Sequence, residues 1–140
     1  MNGVIFNEKH THRDWGLLLR RRPQISPPAP KTKLIQVPGS DTIIDLTESL
    51  TGQVHYEPRT INFEFVTNVP RAQWASLHSD ILTYMHGKNV KIIFDDDPNF
   101  FYTGRVTVGD MEADKKTATL TMTATVEPYK RERFGDGRKL

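Results

Sequence analysis

A chain of 140 residues lies in the single-domain range and buries about 68–70% of its extended surface on folding, enough for a hydrophobic core. A net charge of +2 is too small for a protein whose surface as a whole grips a phosphate backbone, and the count of zero cysteines excludes a disulfide framework, a thiolate zinc site and a cysteine nucleophile. Mean hydropathy is mildly negative, and nothing resembles the run of about 20 apolar residues that a spanning helix needs, so no membrane insertion is expected.

In chain order the first apolar run, Val4-Ile5-Phe6, is too short for a signal peptide, which predicts a protein made in the cytosol. Gly3 to Glu8 reads as a strand and Leu17 to Arg22 as another. Pro23, Pro27, Pro28 and Pro30 then remove amide donors and fix φ, so Pro23 to Pro30 is an edge or an extended arm and not a central strand. Lys33 to Val37 and Thr42 to Leu46 are short strands on either side of a Pro38-Gly39 turn.

From Arg59 the pattern lengthens. Ile61, Phe63 and Phe65 fall on one face of a strand and Thr60, Asn62 and Glu64 on the other. A helix is predicted over about 70–86, opened by Pro70 and stopped by Gly87, with Trp74, Leu77, Ile81, Leu82 and Met85 forming one apolar stripe. That stripe is expected to pack on Ile61, Phe63 and Phe65, the nearest apolar face of comparable size. Val90 to Phe94 and Phe100 to Val108 follow as a hairpin about the Asp95-to-Asn99 turn. In the last strand Thr117, Thr119, Thr121, Thr123 and Thr125 alternate with Ala118, Leu120, Met122, Ala124 and Val126, a core face backed by a ladder of hydroxyls. The expected fold is therefore mostly β: an antiparallel β-sandwich with one packed helix and an extended arm or hairpin. A single domain is expected over 1–128, with a charged, flexible tail over 129–140.

No constellation of side chains predicts catalysis, a metal or a cofactor. Asp95, Asp97 and Asn99 match the first ligands of a calcium loop, but Phe100 stands where glycine is required and Val106 where the bidentate glutamate belongs. His10 and His12 share a face of an extended segment without a third ligand, and Ser40 lacks both a nucleophile elbow and a placed histidine. Trp15 and Trp74 have apolar neighbours and read as buried anchors. Arg20, Arg21 and Arg22 alternate faces on a strand and cannot form one basic patch; ion pairs across a subunit contact suit them as well. A contact with a neighbouring copy is accordingly expected at Arg20, Arg21, Arg22, Pro23, Ile25, Pro27, Pro28, Lys31 and Lys33.

These residues together resemble the distal tail protein (Dit) family of long-tailed siphophages. The resemblance lies in Gly3-Val4-Ile5-Phe6-Asn7, in an Arg-Asp-Trp-Gly-Leu-Leu-Leu strand over Arg13 to Leu19, and in the Val37-Pro38-Gly39 turn. It continues through Arg59-x-Ile61-x-Phe63-x-Phe65, the Trp74 helix ending at Gly87-Lys88, Ile92 to Pro98, Tyr102-x-Gly104-Arg105-Val106, and Pro128-Tyr129-Lys130. It implies a tail-tube-like ring domain; in a departure from the many members that continue into a galectin-like second domain, none is expected in these 140 residues. It further implies a hexameric ring at the virion tail tip, assembled in the host cytoplasm between the tail tube protein and the tail hub, with an arm that laps a neighbour and a channel for DNA in transit. A tail tube subunit or other phage-derived tube is the nearest alternative. A small oligonucleotide-binding β domain and a metal-dependent enzyme stand further off.

Overall fold

The computed structural model describes residues 3–49, 51–67, 69–113 and 116–140. With 44% strand and 15% helix, against roughly 20–25% and 30–35% in average globular proteins, the chain is mostly β. The strands are β1 (Val4–Phe6), β2 (Lys9–His10), β3 (Leu17–Leu19), β4 (Leu34–Gln36), β5 (Ile43–Asp45), β6 (Arg59–Thr67), β7 (Asn89–Phe94), β8 (Phe100–Ala113), β9 (Ala118–Val126), β10 (Lys130–Glu132) and β11 (Arg138–Lys139). The helices are α1 (Thr11–Trp15) and α2 (Trp74–Met85), the latter entered through a 3-10 turn at Arg71–Gln73.

One antiparallel sheet runs in the order β2-β1-β7-β8-β9-β6-β3, with β10 and β11 extending it beside the start of β8; β4 and β5 make a separate two-stranded sheet. The sheet folds over on itself. The rings of Phe6 on β1 and Phe63 on β6 lie 5.5 Å apart although three strands separate β1 from β6 in the sheet, and Phe63 also stacks on Phe94 of β7 at 5.9 Å. The inner face so enclosed gives the sandwich-like core expected from the sequence.

The alternation of β6 and β9 is realised residue by residue. Ile61, Phe63, Phe65, Leu120, Met122 and Ala124 are buried, and opposite them Asn62 pairs with Thr123 and Glu64 with Thr121 on the outer polar face. Gly104 allows the tightest crossing: a Cβ there would overlap the Thr125 carbonyl oxygen and the Val126 backbone. Gly104→Val is therefore expected to prevent stable folding, read as loss of the cooperative denaturant transition; a normal transition would contradict the β8–β9 register.

The helix and strand faces meet with a changed set of contacts. Ile81 and Met85 enter the core shared by Ile61, Phe63 and Phe65, while Leu77 and Leu82 pack half-buried against it. Trp74 is buried but lies outside that cluster, its indole N–H donating to the Val69 carbonyl at 3.0 Å and its ring facing the Arg71 guanidinium. The reason is the anchoring of α2 to β8. Beyond Arg105, which lies opposite the first residue of β7, β8 is left without a strand on that side, and the helix and the turn after it supply the missing partners: Gly87 N–H donates to Val106 O at 2.7 Å, Val108 N–H to His86 Nδ1 at 3.0 Å, and His78 Nε2 bonds Gly109 O at 2.9 Å. Gly87 turns at φ +73°, as its position after His86 predicts.

Three expectations need correction. The strand expected over Leu17 to Arg22 stops at Leu19, and Arg13 to Trp15 is helical, not extended. A second helix, α1, therefore stands beside the one predicted. Finally, the segment expected as a frayed tail is paired: Arg131 lies opposite Phe101 on β8 and Arg138 on β11, and Arg133 N–H donates to Asn99 O at 2.8 Å.

Candidate assembly surfaces

The residues with chemical potential are occupied within the chain. His10 caps α1 through Nδ1, which accepts the amides of His12 at 3.1 Å and Arg13 at 3.2 Å, and its Nε2 lies 2.8 Å from Asp95 Oδ2. With both ring nitrogens engaged, His10 is no part of a chelate with His12. The cap is reciprocal: the His10 amide donates to Asp14 Oδ2 at 2.8 Å, and that bond, reinforced by the Arg13 guanidinium, holds the Asp14 carboxyl below the usual carboxylate range. Ser40 Oγ accepts the Thr42 amide at 3.0 Å as a turn former. Trp15 is buried edge-on to Tyr84, ring centroids 5.6 Å apart.

The three aspartates of the β7–β8 turn diverge. Asp95 holds His10 and the Gly3 amide, Asp96 holds Arg22, and Asp97 holds Lys130 at 2.7 Å. Carboxylates spent on three separate partners do not converge on a cation, so the melting temperature is expected to stay unchanged in millimolar calcium or in chelator. A reproducible rise of several degrees with calcium would contradict this, since a ligand of the folded state must stabilise it.

The predicted interface stretch is split by the fold. Arg20 pairs with Glu64 at 3.3 Å and Arg22 with Asp96, while Pro23 and Pro28 are buried and Ile25 packs against the core. Arg20 and Arg22 stay exposed despite their ion pairs, as do Arg21, Pro27, Lys31 and Lys33. Arg21 borders a groove of about 750 Å³ over the outer sheet face, floored by Asn62, Thr121 and Thr123. The pairing of Lys31 N–H with His55 O at 2.7 Å and of Glu57 N–H with Ala29 O at 2.7 Å then closes the base of an excursion from the body.

That excursion carries the surface that sequence reasoning missed. In the β4–β5 hairpin Leu34 and Ile43 are 56% exposed and Ile35 and Ile44 43% exposed. Ile35 lies opposite Ile44, Leu34 opposite Asp45 and Gln36 opposite Ile43, so apolar side chains stand on both faces of the ribbon. The signal was present: Leu34-Ile35 and Ile43-Ile44 are adjacent apolar pairs, which a strand with one dry face does not need. The other exposed large apolar side chains among the described residues are Phe134 and Leu140, beside β10 and β11. Cations crowd there too, Arg138 lying 4.3 Å from the Tyr129 ring and Lys139 5.6 Å from the Phe100 ring.

Against known structures the chain superposes on the Dit (gp 19.1) protein of phage SPP1, described as a paradigm of the hub adsorption apparatus in phages that infect Gram-positive bacteria, with a TM-score of 0.70 over 94% of this chain. The chain has a Dit-like fold. Sequence identity with the SPP1 protein is 15%, and the match spans 52% of that protein's length, about half. No protein-family model matches the sequence, and no curated protein matches it.

Proposed function

We propose that this chain is a structural component of a phage tail tip, forming a hexameric ring that joins the tail tube to the tail hub and lines the channel through which DNA leaves. The observation that carries the reading is the Dit-like fold over 94% of the chain, shared with a protein of a hub adsorption apparatus. Two physical features support it. An isolated two-stranded hairpin with four exposed aliphatic side chains is marginal in water and calls for a partner. The outer sheet face offers neutral hydroxyls at Thr121, Thr123 and Thr125, a polar surface with Arg21 and Arg22 at its border, suited to contact with another chain.

In this reading the work is assembly and passage without bond chemistry, the partners are further copies of the chain, the tail tube protein and the tail hub, and the site of assembly is the host cytoplasm. No helix among the described residues is long and apolar enough to cross a membrane. Light scattering on the purified protein, alone and with the neighbouring tail proteins, tests the ring: the expected particle has about six times the 16.1 kDa chain mass. A monomer under both conditions at high concentration contradicts it.

A further inference from the structure

We propose that the β4–β5 hairpin of one copy docks on the β10–β11 hairpin of the next, so that the two exposed apolar patches of the chain cover each other. The inference rests on the ring reading and names its contact. The large apolar side chains left exposed among the described residues fall in two places only, Leu34, Ile35, Ile43 and Ile44 on the first hairpin and Phe134, 84% exposed, with Leu140 near the second. Neither patch is covered by the described residues of its own chain.

Charge selects the same pairing. Beside the aliphatic residues the first hairpin carries Asp41 and Asp45, with the Thr47 hydroxyl and amide holding the Asp45 carboxyl below the usual carboxylate range, so that it is ionised at neutral pH. Around Phe134 stand Arg133, Arg138 and Lys139, none with a carboxylate partner among the described residues; they lie over the rings of Phe134, Tyr129 and Phe100 at 5.2, 4.3 and 5.6 Å. The first hairpin also holds Lys33 beside Leu34 and the second Glu132 and Asp136 among its cations, so the complementarity is a balance: Asp41 and Asp45 outnumber Lys33 around one apolar centre, and Arg133, Arg138 and Lys139 outnumber Glu132 and Asp136 around the other. Contact between two first hairpins would set their aspartates near one another and, being isologous, would stop at a dimer. Contact between two different patches is heterologous and continues until the rotation closes a ring.

Because the chain has no cysteine, the contact can be read by placing one on each patch. Purified Ile44→Cys and Phe134→Cys variants, checked for unchanged circular dichroism, are treated with a short bismaleimide separately and mixed. The mixture is expected to give a cross-linked dimer at least tenfold more abundant than either variant alone, and the doubly substituted chain a ladder that ends at the ring. Rings that form without the mixed cross-link overturn the docking and leave the ring reading standing. Cross-linking of Ile44→Cys to itself assigns a hairpin-to-hairpin contact and overturns it as well. A chain that stays monomeric alone and with its tail neighbours overturns both.

Discussion

Phe63→Ala is expected to destabilise the protein by about 3–5 kcal/mol, a large share of the roughly 5–15 kcal/mol that holds a domain of this kind together. The ring is almost wholly buried and touches aromatic partners from three strands: Phe6 edge-on at 5.5 Å, Phe65 and Phe94 stacked at 5.9 Å each. It sits where the sheet folds over, so truncation leaves a cavity lined by strands that cannot close in independently. Trp74→Ala is expected to cost less, since Trp74 lies outside the shared core. Denaturant melts decide the matter. A Phe63→Ala effect below about 1 kcal/mol, or the reverse order of the two variants, would show that the folded-over sheet is not where the stability resides.

The second large effect separates assembly from folding. Replacing Leu34, Ile35, Ile43 and Ile44 by serine or threonine is expected to leave the circular dichroism spectrum and the denaturation midpoint nearly unchanged, because these side chains are exposed and belong to no core. The assembled mass is expected to fall to that of the 16.1 kDa monomer. Deletion of Pro23 to Pro30 is the contrast. Proline content alone marks that stretch as a dispensable arm, yet Pro23 and Pro28 are buried and Ile25 packs on the core, so the deletion is expected to destabilise the domain itself. Full assembly by the hairpin variant would move the subunit contact elsewhere on the surface.

What was legible in the sequence is what local periodicity encodes. β6 and β9 alternate without a break, and α2 shows a stripe bounded by Pro70 and Gly87, so each could be placed from its own residues. Elements held by distant partners were hidden. Helix α1 has five residues, too few for a stripe, and owes its start to the His10 side chain, itself pinned by Asp95 some 85 positions later. The C-terminal hairpin is charged and glycine-containing, the composition of a loose tail; its order comes from β8 and from the Asn99 carbonyl. Trp74 was misplaced because a stripe tells which face of a helix is dry but not which strand it meets, and His78 and His86 decided that by serving the open edge of β8.

The same limit explains the candidate surfaces. Arginines and prolines place the expected interface at Arg20 and its successors; that Arg20 pairs with Glu64 and Arg22 with Asp96, both arginines staying exposed, is visible only once β3 lies beside β6 and the β7–β8 turn approaches. The exposure of Leu34 and Ile44 is likewise a tertiary fact. Their sequence resembles a buried strand, and only the absence of any sheet over the hairpin, among the described residues, leaves these side chains exposed.

If this chain is a fixed part of a tail tip, as proposed, an antibody raised against it will show where it sits in immunogold labelling of intact virions. Gold is expected only at the distal end of the tail, at the junction between tube and hub. Label spread along the whole tail would make the chain a tube subunit, and virions that carry no label would contradict a structural role in the tail altogether.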